Sequence, residues 1–175
     1  MLRLSASLAA VVIAGPALAQ DDSQFVAFED VLAANADRPF ECNDHLEIND
    51  SCTAIGTYAL SGDRLISKGF FSLAPESPAV VEVTYESTMV DGAICGFENL
   101  TASSGIDPAT DEAIAEAMRS VFDSFGPLCT YYYDMGDGSY VSLTRQEDGT
   151  VIEDGRAEVT FHAEMPDLRP QDVEM

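Results

Sequence analysis

The chain contains no tryptophan, a single lysine (Lys68) and two histidines (His45 and His162) in 175 residues. Each shortage removes a class of function. Non-specific nucleic-acid affinity comes mostly from Lys and Arg neutralising phosphates, and 8 basic residues against 31 acidic ones leave no basic face to do it. Binding to an anionic membrane surface fails for the same reason. Without tryptophan the chain lacks the largest aromatic plane on which a sugar ring could rest. Signatures of common chemistries are missing too: no G-x-S-x-G elbow, no H-E-x-x-H zinc pair, no S-x-x-K at Lys68 and no phosphate-cradling glycine loop. No C-x-x-C occurs either, which argues against a thiol redox motif or a zinc knuckle.

What is present begins with an export signal. Arg3 is the only charge before an apolar run from Leu8 to Ala14, a Gly15-Pro16 break and the small-residue pattern Ala17-Leu18-Ala19. That order is a secretory leader, with cleavage expected after Ala19. The run is far too short for the roughly 20 residues of a membrane-spanning helix. The expected organisation is a leader over 1–19, one disulfide-bonded domain over 20–165, and a short acidic tail over 166–175. The expected location is the periplasm or the exterior of the cell.

Because Arg3 leaves with the leader, 7 basic side chains face 31 acidic ones in the mature chain, a formal charge of −24. Charge of this size favours solubility, and it permits a basic protein or a small cation as partner. Four cysteines, Cys42, Cys52, Cys95 and Cys129, follow the leader. An even number in an oxidising compartment implies two bridges. Proximity along the chain favours Cys42–Cys52 and Cys95–Cys129.

Period and punctuation then give the elements. Ser23 is placed to cap a first helix with Phe25, Phe28, Val31 and Leu32 on one face, ending before Arg38-Pro39. From about 53 to 101 the period is two: Val81, Val83 and Tyr85 alternate with Glu82, Thr84 and Glu86, and Leu65, Phe71 and Leu73 share a face. Ser61-Gly62-Asp63, Pro75 to Pro78 and Asp91-Gly92 mark the turns. A long helix is expected over 108–125, with Asp107 as N-cap, Pro108 in the first turn, Ile114, Met118, Val121, Phe122 and Phe125 on the buried side, and Gly126-Pro127 as the stop. Its outer face holds Glu112, Glu116, Arg119 and Asp123. A second β region follows from Cys129, with Asp-Gly pairs at 137–138, 148–149 and 154–155 as turns. In its last strand Ala157, Val159 and Phe161 point opposite to Glu158, Thr160 and His162. The expected fold is α+β, an antiparallel sheet carrying the N-terminal helix and the 108–125 helix on it. A β-sandwich or partly closed β-barrel with an inserted helix is the alternative.

Candidate sites follow from residue type. Asp44, Glu47 and Asp50 lie in the irregular loop that a Cys42–Cys52 bridge would close, a calcium-type oxygen set without EF-hand spacing. Calcium is the only cofactor suggested. Tyr131, Tyr132, Tyr133 and Tyr140, with His162, make an expected contact surface. The expected function is therefore a non-enzymatic exported module that binds another, basic, envelope or extracellular protein. A calcium- or small-ligand-binding domain and a small hydrolase are the other readings. Mass spectrometry of the exported protein should show an N-terminus at Gln20 and no alkylatable thiol; a product starting at Met1 would contradict the leader.

Overall fold

The computed structural model describes residues 24–74 and 77–170. The leader and its cut after Ala19 lie outside these residues, as do 171–175. In chain order the elements are β1 (Phe25–Val26), α1 (Phe28–Ala34), β2 (Phe40–Asn43), β3 (Ser51–Cys52), β4 (Ala54–Ser61), β5 (Arg64–Ala74), β6 (Ser77–Val90), β7 (Ala93–Ser103), α2 (Pro108–Phe125), β8 (Leu128–Asp134), β9 (Tyr140–Gln146), β10 (Val151–His162) and β11 (Asp167–Leu168).

Eight of these strands, β2 and β4 to β10, pair antiparallel with their neighbours in the meander, and β10 returns to pair with β2. The result is a closed barrel, which corrects the expected α+β sheet with helices on it and agrees with the barrel alternative. Alternation along one strand is the same whether a sheet is open or closed. Closure depends on strand tilt and on the register between the first and last strands, which no local pattern carries. Here that register runs from Val159 opposite Asn43 to His162 opposite Phe40.

The alternation itself is as expected. Val81 and Val83 are buried, and Phe71 and Tyr85 pack with them. On the outside, Lys68 pairs with Glu82 at 3.1 Å and Arg64 with Glu86. Charged pairs across the outer wall are the reverse of the apolar band that a lipid-facing barrel presents. No helix among the described residues is long and apolar enough to cross a membrane.

The helices close the two ends. Phe28 and Val31 of α1 pack among Leu65, Ile94, Tyr132, Tyr140, Val159 and Phe161. Ile114, Ala115, Met118 and Phe122 of α2 pack on Val81, Val83, Leu100 and Ala102. Leu65 and Phe71 stand near opposite ends of β5, so the helices plug opposite mouths. α2 has the expected limits, and the Asp107 carboxylate accepts from the Ala109 and Thr110 amides, both at 2.9 Å. Its buried stripe is narrower than the offsets suggested, since Val121 and Phe125 are exposed. Arg119, on the other side, reaches back to donate to the Leu100 carbonyl at 2.9 Å.

The N-terminal helix starts five residues later than Ser23. Phe25 and Val26 instead pair with Tyr133 and Tyr132 of β8, an edge that β7 leaves free because it pairs with β8 only at Ile94 and Cys95. α1 is held by the Phe28 amide donating to the Gly92 carbonyl at 2.9 Å. Gly92 is needed there: its φ is +81°, and a Cβ would stand 2.7 Å from that of Ala27. Asp154-Gly155 is not a turn but lies within β10, where the register shifts between Val151 and Arg156. The start of the tail is tied to the barrel. Asp167 and Leu168 pair with Ser51 and Cys52, and Arg169 donates to the carbonyls of Ser51 and Asp44. The Asp44 carbonyl lies beyond the β2 ladder and needs such a donor.

Both expected disulfides form, Cys42–Cys52 and Cys95–Cys129. The second joins directly opposed residues of β7 and β8. It closes a loop of 34 residues, for which chain entropy assigns about 4 kcal/mol. Replacing Cys95 and Cys129 by Ser should lower urea-derived stability by about that amount and remove amide protection first along β7 and β8. Uniform loss of protection would show that the bridge is not the local tie between these strands.

Candidate functional site within the barrel

Along β2 the chain alternates Phe40 out, Glu41 in, Cys42 out, Asn43 in. Cys42 joins a small outer core with Cys52 and Ile55. Glu41 is thereby carried into the barrel, opposite Gly56 of β4 on one side and Phe161 of β10 on the other. Gly56 in turn faces Gly69 of β5. With no side chain on β4 at that level, the Tyr58 ring lies over Gly56, where an added Cβ would stand 2.7 Å from the Tyr58 hydroxyl.

Glu41 is only 3% exposed. The Tyr132 hydroxyl donates to its Oε2 at 2.9 Å, and Tyr58 lines the same cavity. Phe28 of α1 packs on both of these rings, with centroids 4.9 Å from Tyr58 and 4.7 Å from Tyr132. Tyr85 pairs with Ser67 across β5 and β6 and leans on Phe97 at 5.1 Å. Phe97 stacks at 4.1 Å on Phe122 of α2. One aromatic series thus runs from the interior to the helix that covers one end.

These groups surround a cavity of about 230 Å³, lined by Glu41, Asn43, Tyr58, Tyr85, Phe97 and Tyr132, with Thr130, Ser142 and Thr144 among its other walls. The Asn43 Oδ1 is buried without a protein hydrogen-bond partner. Gly155 and Arg156 at the β10 bulge mark its outer edge. Arg156 is half exposed and lies 3.9 Å from Glu158.

Burial lifts the Glu41 carboxyl to about 7, although the Tyr132 and Tyr58 bonds pull it the other way. Burial, and then the adjacent Glu41, push Tyr58 and Tyr132 well above the usual phenol value. Burial also takes Tyr85 to about 12. The interior therefore holds three permanent hydroxyl donors around one carboxyl able to exist in either state near neutrality.

The expected site residues are distributed otherwise. Of the tyrosines proposed as a contact surface, Tyr132, Tyr133 and Tyr140 are 3%, 1% and 8% exposed. Tyr132 faces the cavity. Tyr133 lies under Phe25 on the outer wall and accepts from Arg145 at 2.8 Å, and Tyr131 packs beside the same Phe25. These four do not form one exposed patch, because alternation sends Tyr131 and Tyr133 out and Tyr132 in, and β1 then covers the outer pair.

In the 44–52 loop, the Asp44 carboxylate accepts from the Glu158 amide at 3.1 Å and from the Thr53 hydroxyl at 3.3 Å. Asp50 bonds His45 Nε2 at 2.9 Å, and Glu47 lines a separate surface depression. Among the described residues, the one place where three His, Cys, Asp or Glu donor atoms converge is Cys42, His45 and His162. The structure does not bring Asp44, Glu47 and Asp50 together. His162 stands with its ring 4.5 Å from that of His45, and burial, with His45 adding, lowers its pKa.

Sequence reading missed Glu41 and Tyr58. Glu41 sits in a stretch that reads as irregular, and a four-residue strand shows too little alternation to reveal an inward carboxyl. Comparison of the chain with protein families, curated proteins and solved structures finds no match, so the site is read from its own geometry.

A pH dependence follows. Glu41 ionises near 4.5 when exposed and near 7 when folded, so across that window the folded chain keeps a proton that the unfolded chain has released. Its contribution to stability falls as pH rises from 4.5 to 7 and is level above. Glu41→Gln abolishes this term. In urea titrations the stability of the variant relative to the parent should rise by about 3 kcal/mol between pH 4 and pH 8. A pH-independent difference would mean that Glu41 does not titrate in this range.

Proposed function

We propose that this protein is an exported binding barrel that takes a small organic cation, an amine, into its interior with the ammonium group on Glu41. The observation that carries the reading is the carboxyl enclosed by Tyr58, Tyr85, Tyr132 and Phe97. Aromatic faces attract a cation through their quadrupoles, more strongly where water is displaced. A cation beside Glu41 also favours the ionised carboxylate, so the desolvation cost of the pair falls on neither partner alone. The tyrosine hydroxyls supply donors that such a carboxylate needs.

Scale and field support the same class. About 230 Å³ is below the usual range for drug-sized ligands, so the guest is small. A formal charge of −23 for the full chain concentrates cations around the molecule. Arg156 at the edge is set beside Glu158, leaving Glu41 as the charged group of the interior. The leader-like N-terminus and two disulfides support placement in the periplasm or outside the cell. A basic protein partner is the weaker reading, because the tyrosine surface on which it rested is largely buried.

The test is calorimetric titration of the mature protein with small alkyl- and arylamines, matched alcohols and matched carboxylates at pH 5 and pH 8. At least one amine should bind with one-to-one stoichiometry while its alcohol and acid analogues do not. Affinity should be higher at pH 8, where Glu41 is already ionised before the amine binds, and should drop by about tenfold or more in Glu41→Gln. Equal binding by that variant, or no amine binding at all, rejects the proposal.

A further inference from the structure

We propose a second, independent site: His45 and His162 together bind a divalent transition metal, Zn²⁺ or Cu²⁺, on the outside of the barrel wall. They are the chain's only two histidines. One comes from the loop after β2 and the other from the last residue of β10, and barrel closure sets them face to face. Their ring centroids are 4.5 Å apart, and a ring nitrogen of each lies within 4.8 Å of the other.

Both rings are already oriented. His45 Nε2 bonds Asp50 Oδ1 at 2.9 Å, and His162 Nε2 bonds Thr160 Oγ1 at 2.9 Å. Ligating imidazoles are held in this way, by a carboxylate or hydroxyl on the nitrogen away from the metal. These bonds engage Nε2 of each ring, and Nδ1 of neither ring carries a hydrogen bond among the described residues. Two imidazole nitrogens on one Zn²⁺ each stand about 2.0–2.1 Å from it, so they can be no more than about 4 Å apart. A ring nitrogen of each histidine already lies within 4.8 Å of the other, and side-chain rotation brings the pair within that limit.

The surroundings favour a cation and decide its type. His45 lines a depression of about 340 Å³ with Glu47, Asp137 and Glu158, a carboxylate-rich setting for a cation. The nearby Cys42 sulfur is bonded to Cys52 and offers no thiolate. Two imidazoles with carboxylate or water in the remaining positions suit Zn²⁺ and Cu²⁺, whereas Ca²⁺ takes oxygen ligands.

The experiment uses the mature, disulfide-bonded protein and the metals alone, with calorimetry for Zn²⁺ and Cu²⁺ and electron paramagnetic resonance for Cu²⁺. One equivalent should bind, with hyperfine splitting from two nitrogens, and excess Ca²⁺ should not displace it. His45→Ala and His162→Ala should each weaken binding by about tenfold or more. Glu41→Gln, inside the barrel, should leave metal binding unchanged while removing amine binding, so the two sites fail separately. No saturable binding below millimolar metal, a spectrum with one or no nitrogen, or unchanged affinity in both histidine variants would overturn the site. The spectrum of the parent protein decides the matter even if a histidine variant folds poorly.

Discussion

The pairing of β10 with β2 constrains the rest of the molecule. Four residue pairs, from Val159 and Asn43 to His162 and Phe40, join the last barrel strand to the first. An open meander of the same strands would present two edges with unpaired backbone groups. Closing it removes both edges and creates an interior, and a shift of one residue in this register would turn Glu41 to solvent and bring Cys42 inside. The outer core around Cys42, Cys52 and Ile55, the docking of Arg169 on the loop, and the meeting of the two histidines all hang on the same junction.

An eight-stranded barrel is just wide enough for side chains to fill it or for one small guest. Side chains fill most of this one, and a cavity of about 230 Å³ remains. At one end α1 delivers Phe28 and Val31, and at the other α2 delivers Ile114, Met118 and Phe122. Between them, glycines at 56 and 69 and small polar residues on β8 and β9 leave room around Glu41. A carboxyl held in such a place costs stability when ionised, and its tyrosine partners reduce that cost without cancelling it. Buried polar groups kept at a cost to stability are characteristic of binding sites.

Much of the local structure was legible before folding was considered. Asp107, Pro108 and Gly126 delimit α2 through capping chemistry that acts within one turn of the chain. Asp91-Gly92 makes its hairpin because both residues accept positive φ, +50° and +81°. Of the three pairings that four cysteines permit, Cys42–Cys52 and Cys95–Cys129 is the one that chain proximity favours and the one that forms. Local signals mislead where two of them compete. Phe25 fits a helix face and a strand equally well, and the free edge of β8 decided for the strand. Asp154-Gly155 resembles a turn, yet β10 runs through it as a bulge.

Strand alternation, the long helix, the turns at most Asp-Gly pairs, the even set of cysteines and the excess of negative charge are legible in the order of the residues, because each depends on residues close in the chain or on composition alone. Closure of the sheet, the meeting of Glu41, Tyr58 and Tyr132 inside it, and the meeting of His45 and His162 outside it arise only in three dimensions. Those residues come from strands and loops tens of residues apart. Which of them become neighbours depends on the register and twist of the whole sheet, a property summed over every strand and visible in none of them singly.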